Sequence, residues 1–325
     1  MSAIKTDTII DVVVGVIKDT VGRYLIAKRP TNAHQGGLWE FPGGKVEHNE
    51  TAYEALEREL NEELGISSLS SITSLIKIYH DYGDKKVCLD VYTIDDFSGE
   101  AFGKEGQELR WIGIDEFSKF NFPEANYSII NAVTLPDQYM ITGEFKSEAE
   151  LLARIQTALD SGLKLIQFRA HQLNDEIYFN YTRKIYQMCK TAKAKLLLNI
   201  SLENYTKYKA DNFSDGIHLS SKEIKLFHTS MLNSHSLVAT STHNEDELIY
   251  AEEKKIDFIV LSPVNPTTSH PNTTPLGWDN FKSLVNKSTI PVYALGGMTK
   301  SDLSAVKKRG GQGIAAISEY WKSEK

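Results

Sequence analysis

The sequence predicts a two-domain α/β chain, a mixed strand-and-helix domain followed by a small (β/α)8 barrel. Its 325 residues suit two domains of about 150 residues each better than one core. The rhythm of the chain also changes after Leu135-Pro136-Asp137. From there to the end, eight apolar strand-like runs alternate with amphipathic helical stretches, the pattern of a closed parallel barrel. Before that point regular βα alternation is missing, which argues against a doubly wound sheet. The expected domains are 1–134 and 137–325, with the linker near 132–137.

In the first domain, Ile9 to Ile17 and Tyr24 to Lys28 flank the turn-like Lys18-Asp19-Thr20-Val21-Gly22 and read as a hairpin. Glu50 to Gly65 reads as a helix. Thr51 and Glu54 make a T-x-x-E capping box, and Gly65 supplies the C-terminal cap. Tyr53, Leu56, Leu60 and Leu64 share one stripe at helical spacing, the expected buried face. Phe41-Pro42-Gly43-Gly44 reads as a tight turn that brings backbone close to this helix. Strand-like runs return at Ile72 to Tyr79, Lys86 to Thr93 and Leu109 to Ile114, and Tyr127 to Ala132 reads as a short helix.

The eight runs of the second domain are Gln138 to Thr142, Leu163 to Arg169, Lys195 to Ile200, Gly216 to Leu219, Leu237 to Ser241, Phe258 to Val264, Val292 to Leu295 and Gly313 to Ser318. Helical patterns between them are clearest at Ser147 to Leu159, Asp175 to Thr191, Glu245 to Lys254 and Lys300 to Lys308.

Composition narrows the function. Lys and Arg number 36 against 43 Asp and Glu, a net charge of −7, and the pI is about 5.8. That argues against gripping a nucleic-acid backbone, though not against binding a single nucleotide. With 41% hydrophobic and 24% charged residues, disordered and membrane-spanning classes are excluded. Cys88 and Cys189 lie far apart, without the CxxC spacing of a zinc site, and read as thiols in a reducing compartment. Met1 to Asp7 carries no signal-peptide pattern, and Ile9 to Ile17 is too short to span a bilayer. A cytoplasmic protein is expected.

The chemistry of the first domain starts on the helix. Glu59, Glu62 and Glu63 stand at i, i+3 and i+4, so three like charges are neighbours. An ordinary solvated acidic face is the bland alternative. Against it stand the glycine-rich segment beside the helix and the suitability of clustered carboxylates for a hard divalent cation. Ala52 and Ala55 are expected on the same flank, leaving the carboxylates uncovered. From Gly44, five residues lead to Glu50 and seven more to Arg58-Glu59, followed by Leu60-x-Glu62-Glu63-x-Gly65-Ile66.

That pattern matches every fixed position of the Nudix box, GX5EX7REUXEEXGU, so the domain resembles the Nudix hydrolases. The resemblance implies an α/β/α sandwich with a mixed sheet and hydrolysis of a nucleoside diphosphate linked to another moiety. It narrows further. Ala33-His34, Leu38-Trp39-Glu40-Phe41-Pro42-Gly43-Gly44-Lys45, Gly103-Lys104-Glu105-Gly106-Gln107 and Phe122-Pro123-Glu124-Ala125-Asn126 look like the corresponding segments of MutT-type 8-oxo-dGTP diphosphatases. The implied activity is cleavage of 8-oxo-dGTP to 8-oxo-dGMP and pyrophosphate, attack falling on the β-phosphorus, in nucleotide-pool sanitation.

As the resemblance implies, Glu59, Glu62, Glu63 and the Gly44 carbonyl hold Mg²⁺ (or Mn²⁺), with Glu105 as a further ligand or the base and Arg58 orienting the carboxylates. Such a cation would neutralise triphosphate charge and acidify a water. Arg29 and Lys28 are candidates for phosphate contact, or a solvated strand end. Lys45 is a further candidate for substrate contact. Asn126 offers a donor and an acceptor to an oxidised purine edge, or caps the helix that follows. Phe41 packs on the base or in the core. One departure is visible: Asp84-Lys85-Lys86 stands where such enzymes tend to carry an arginine.

Barrel sites lie at the C-terminal ends of strands. Here those ends read Gln167-Phe168-Arg169, Asn199-Ile200-Ser201, His218-Leu219-Ser220, Ser241-Thr242-His243, Pro263 to Thr268, Gly296-Gly297-Met298 and Ile317-Ser318. Paired glycines and the backbone around Ser318 suit a phosphate. Residues 137–320 resemble the thiamine-phosphate synthase/TenI family in their Q-x-R, G-I-H-L, S-T-H, S-P-V-x-P-T and A-x-G-G segments. Gln167, Arg169, Ser241, His243, Gly296, Gly297 and Ser318 are the implied ligand residues.

The departures fall where the synthase's Mg²⁺ and pyrophosphate would sit. Ile200 replaces an acid, Glu223 replaces a shorter one, and His171 and His270 replace lysines. Synthase activity is not expected. His243 matches the histidine of the metal-free tautomerase branch, or merely caps a helix. Three readings follow: a sanitation hydrolase with an accessory barrel, a Nudix pyrophosphatase working on thiamine-pathway intermediates, and a barrel that serves as a ligand sensor or dimerisation module. The expected partner is a small-molecule nucleoside triphosphate, with no nucleic acid and no membrane, and a homodimer through the barrel is compatible with all three.

Overall fold

A computed structural model describes residues 9–233, 236–267 and 273–321. Met1 to Asp7, Thr268 and His270 lie outside the described residues. The chain divides into two compact units between Thr134 and Leu135.

The first unit contains β1 (Ile9–Ile17), β2 (Tyr24–Lys28), β3 (Trp39–Glu40), β4 (Gly43–Lys45), α1 (Ala52–Leu64), β5 (Ser67–Asp81), β6 (Lys86–Ser98), β7 (Leu109–Ile112) and α2 (Glu124–Thr134). Its larger sheet runs β4-β1-β6-β5 and is mixed: β1 is parallel to β6 and antiparallel to β4. A smaller antiparallel sheet runs β3-β2-β7. Along β1, Val13 and Ile17 pack towards α1, while Val14 and Val16 pack into the cluster that holds Ile129 of α2. The result is an α/β/α sandwich.

Three local expectations need correction. The turn after β1 forms, with the Asp19 N–H bonded to the Arg23 carbonyl at 2.9 Å, but after a single Lys18–Tyr24 bridge the strands part. A strand has two hydrogen-bonding edges, and β4 and β6 occupy both edges of β1. Secondly, Gly43-Gly44 is not a turn but belongs to β4, paired with Val14 and Val13. Thirdly, Tyr53 is 44% exposed, and fully buried Ala55 takes its place beside Leu56, Leu60 and Leu64. The Tyr53 hydroxyl reaches the Leu69 carbonyl at 3.2 Å, whereas the small Ala55 lets α1 seat closely. Ala55 therefore lies in the core and not on the carboxylate flank.

The caps of α1 form as read. Thr51 accepts from the Glu54 N–H, Glu54 accepts from the Thr51 N–H at 2.8 Å, and left-handed Gly65 bonds back to Asn61. These local bonds fix where the helix starts and stops, and hence which glutamates share a face.

The second unit contains β8 (Gln138–Ile141), α3 (Glu148–Asp160), β9 (Leu165–Phe168), α4 (Asp175–Thr191), β10 (Lys195–Leu198), α5 (Leu202–Lys207), β11 (Gly216–Leu219), β12 (Leu237–Thr242), α6 (Glu245–Glu253), β13 (Phe258–Leu261), α7 (Gly277–Val285), β14 (Val292–Ala294), α8 (Leu303–Lys307) and β15 (Gly313–Ala316). Strands β8 to β15 pair in parallel, each with the next, and β15 closes on β8. Alternation sets the layers. Tyr139, Ile141, Leu165, Leu197, Phe258 and Tyr293 fill the barrel interior, while Met140, Ile166, Leu196 and Leu198 pack outward against helices. Each predicted run meets its strand, and only β12 goes beyond its run, by one residue to Thr242. Among the described residues, no helix is long and apolar enough to cross a membrane.

Candidate active site

The acidic face of α1 is organised by Arg58. Its guanidinium donates twice to Glu50, at 2.8 and 2.9 Å, once to Glu59 at 2.9 Å, once to Glu62 at 3.2 Å and once to the Lys45 carbonyl at 3.0 Å. One cation thus ties β4 to three carboxylates of the box. The Arg58 bonds and the Glu47 N–H hold the Glu50 carboxyl down at about 2. Glu59 reaches over β4. A Cβ on Gly44 would lie 2.1 Å from the Glu59 carboxyl carbon, so only glycine admits this approach.

Glu63 completes the cluster. Burial, and then the nearby charges of Glu40, Glu59 and Glu105, push its carboxyl up to about 8. Glu105 is brought there by its loop. The Lys104 N–H and the Gln107 amide both donate to the Glu63 carbonyl, at 2.9 and 3.0 Å, and the Lys104 ammonium donates to the Asn61 carbonyl at 2.8 Å. These bonds satisfy carbonyls that the end of α1 leaves without helical partners.

Among the described residues, no three His, Cys, Asp or Glu side chains are gathered into a finished metal site. Glu59 and Glu62 are turned to Arg58 instead. The donor chemistry still fits a hard divalent cation: carboxylates and a backbone carbonyl, with mutual repulsion that such a cation would relieve.

Beside β4 lies a cavity of about 200 Å³ lined by Arg29, Glu40, Phe41, Gly43, Gly44, Lys45, Tyr82, Lys85 and Asn126 among others. Asn126 is 7% exposed, and its side-chain oxygen accepts the Phe41 N–H at 3.3 Å. It sits inside α2, whose first residue is Glu124, so it is not the helix cap. Phe41 is 2% exposed and its ring packs against Phe117 and Phe122, so the ring belongs to the core. Arg29 is not free for a phosphate. Its guanidinium pairs with Glu40 and donates to the His34 carbonyl at 2.9 Å. Lys28 turns to Glu108, 3.7 Å away, and lies over the Trp39 ring.

Sequence reasoning passed over Glu40 and Tyr82 as site residues. Glu40 was legible as the acid next to Phe41 on a strand beginning with apolar Trp39. Tyr82 reaches the cavity only through pairing of β5 with β6, which no local pattern announces.

In the barrel, Gln167 and Ser241 are joined by two residues not singled out as ligand candidates. The Gln167 amide donates to the Tyr139 hydroxyl at 3.1 Å, and that hydroxyl is hydrogen-bonded to His218 Nδ1 at 3.1 Å. His218 Nε2 is hydrogen-bonded in turn to Ser241 Oγ at 2.9 Å. Burial, and secondarily the charge of Arg169, push His218 down to about 3, so it is neutral. Arg169 is exposed and donates to His171 at 3.2 Å. His243 is held by Glu247 at 2.9 Å, and the cap of α6 is its neighbour Asn244. Gly296 and Gly297 both have positive φ, and a Cβ on either would lie 2.7 Å from the 263–266 segment. Ser318 is exposed.

A divalent cation does not fit this barrel mouth. Ile200 has no donor, and Glu223 is committed elsewhere. One Glu223 oxygen accepts the Leu202 N–H that opens α5 and the other the Ser220 hydroxyl, each at 3.1 Å.

Comparison with known families agrees with this division. The NUDIX domain family matches residues 13–132, and the thiamine monophosphate synthase family matches residues 138–320. A protein of Aquifex aeolicus (strain VF5) provisionally named thiamine-phosphate synthase 2 is 33% identical over 57% of this chain and 98% of its own length. An 8-oxo-dGTP diphosphatase of Escherichia coli (strain K12) is 33% identical over 37% of this chain and 93% of its own. Another, from Proteus vulgaris, is 44% identical over 28% of this chain and 81% of its own.

Proposed function

The chain belongs to the Nudix hydrolases through its first unit and to the thiamine monophosphate synthase family through its second, and from that premise we propose that it hydrolyses oxidised purine nucleoside triphosphates. The substrate favoured is 8-oxo-dGTP, released as 8-oxo-dGMP and pyrophosphate, which would keep an oxidised precursor out of DNA. One observation carries this reading. The cavity that holds Asn126 runs to Gly44, and the Glu59 carboxylate lies directly against Gly44. A base-sized recess and a carboxylate cluster therefore share one wall.

Glu59, Glu62 and Glu63 with the Gly44 carbonyl would hold Mg²⁺ or Mn²⁺, which supplies charge neutralisation of the triphosphate and a more acidic water. Arg58 positions Glu59 and Glu62, Lys45 lies on the shared wall towards the substrate, and Glu105 would accept a proton at the cluster. In the cavity, the Asn126 amide nitrogen, which has no partner among the described residues, would donate to the purine edge, and its oxygen keeps a second lone pair.

The barrel takes no part in a metal-dependent synthase step, because Glu223 serves as a helix anchor and Ile200 cannot ligate. It acts as an accessory ligand-binding or dimerisation unit. Fusion to this family favours one second reading, a Nudix pyrophosphatase acting on thiamine-pathway pyrophosphates.

The test is kcat/KM on the full chain for 8-oxo-dGTP, dGTP and the pyrimidine pyrophosphate of thiamine synthesis, with Mg²⁺ and with excess chelator. A preference for 8-oxo-dGTP of about a hundredfold or more, lost on chelation, supports the reading. Preference for the pyrimidine overturns it. Asn126→Ala is expected to erode the preference for the oxidised base more than it lowers turnover of dGTP; an unchanged preference would sink the base-reading role.

A further inference from the structure

We infer that Gln107 is a positioning residue for Glu105: its side-chain amide ties the backbone of Glu105 to the backbone of Glu63, and so sets two of the site's carboxylates relative to each other. The inference rests on the function proposed above and deepens it.

The loop between β6 and β7 carries Glu105 at the third position of a four-residue turn, Gly103 to Gly106, closed by the Gly106 N–H on the Gly103 carbonyl at 3.1 Å. Glu105 is exposed there, and Gly106 follows it with a φ of +82°. The turn bond fixes the shape of this crest but not its place against α1.

Gln107 supplies that placement from both ends of one amide. Its Oε1 accepts the Glu105 N–H at 3.0 Å, and its Nε2 donates to the Glu63 carbonyl, also at 3.0 Å. An amide is neutral and carries a donor and an acceptor on one carbon, so it bridges the two backbones without adding charge beside an acidic cluster. The fit is close. A Cβ on Gly103 would lie 2.1 Å from the Gln107 carbonyl oxygen and 3.0 Å from its Oε1, so glycine is what lets the loop fold back onto Gln107.

Two other anchors dock the loop on the end of α1. The Phe102 N–H donates to the Leu64 carbonyl at 3.1 Å, and the Lys104 N–H to the Glu63 carbonyl at 2.9 Å. Both precede Glu105 in the chain. Loss of the Gln107 amide therefore leaves the loop attached on one side and releases the crest on the other. A reacting group displaced by about 1 Å loses rate steeply, while the cavity that takes the base is left alone.

The experiment measures kcat and KM for 8-oxo-dGTP with Mg²⁺ on full chains: wild type, Gln107→Met, Gln107→Ala, Glu105→Gln, and Gln107→Met combined with Glu105→Gln. Methionine keeps the length and packing of the side chain and lacks both bonds. Glu105→Gln is expected to lower kcat about a hundredfold or more. Gln107→Met and Gln107→Ala should each lower it about tenfold, with KM within about twofold of wild type. The double variant should fall within about twofold of Glu105→Gln alone, because Gln107 then has no catalytic group left to position. A double variant reduced by the product of the two single effects, or wild-type kcat in Gln107→Met, overturns this inference alone. Wild-type kcat in Glu105→Gln overturns it together with the role proposed for Glu105. A wild-type chain that leaves 8-oxo-dGTP intact overturns the functional reading and this inference with it.

Discussion

Single residues in the first unit are placed by charge balance. Arg58 is the hub: it is one cation serving three carboxylates and a carbonyl, and it keeps like charges one helical turn apart from splaying. Glu62 is its most exposed partner, with 57% of the side chain accessible. Substituting it removes a cation-facing oxygen without opening a cavity. Glu62→Gln is expected to lower kcat by about a thousandfold or more while leaving the thermal midpoint within about 2 °C of wild type. Retained turnover would remove Glu62 from the catalytic set. Gly44 shows the same logic from the backbone side, since the absence of a side chain is what lets Glu59 approach.

Elements are decided by their ends and by what their edges can still bond. Helix α1 begins where Thr51 and Glu54 exchange hydrogen bonds and stops where Gly65 turns left-handed. Both signals are local, and both are legible in the chain. Thr51→Ala is expected to destabilise the first unit by about 1 kcal/mol, read as a shift in urea midpoint, with kcat for 8-oxo-dGTP under native conditions changed by less than about twofold. A kcat that fell in proportion to stability would show that the helix start also sets the carboxylate geometry. Strand β1 gives the opposite lesson. Its sequence next to β2 suggests a hairpin, yet its two edges go to β4 and β6, partners that lie far along the chain.

At the scale of the whole molecule, the barrel interior holds a polar chain where a hydrophobic plug would serve for packing alone. Gln167, Tyr139, His218 and Ser241 satisfy one another in series, which allows a histidine only 2% exposed to stay neutral. Its ordinary value is 6.5 and burial lowers it to about 3. The sign follows directly. Below the ordinary value the unfolded chain takes up a proton that the folded barrel refuses, so the contribution of His218 is fully present above 6.5 and is lost as pH falls towards 3. The slope for one such group is about 1.4 kcal/mol per pH unit. Unfolding of the full chain by urea, followed at about pH 7.5 and about pH 4.5, should show a smaller loss on acidification in His218→Gln than in wild type. Equal losses in the two proteins would mean that His218 does not carry the acid sensitivity.

The sequence by itself determined the larger part of both units. The capping box, the cluster of Glu59, Glu62 and Glu63, and the eight apolar runs of the barrel are patterns of nearest neighbours, and nearest neighbours are what helical and strand periods encode. The tertiary structure alone decided the rest. It set Tyr53 outside and Ala55 within, committed Arg29 to Glu40, drew Glu223 away to the start of α5, and carried Tyr82 to the cavity that holds Asn126. Each of these depends on a contact between segments distant in sequence. Such contacts are selected by competition for a limited number of strand edges, unpaired N–H groups and counter-charges, and that competition is resolved only when the whole domain packs.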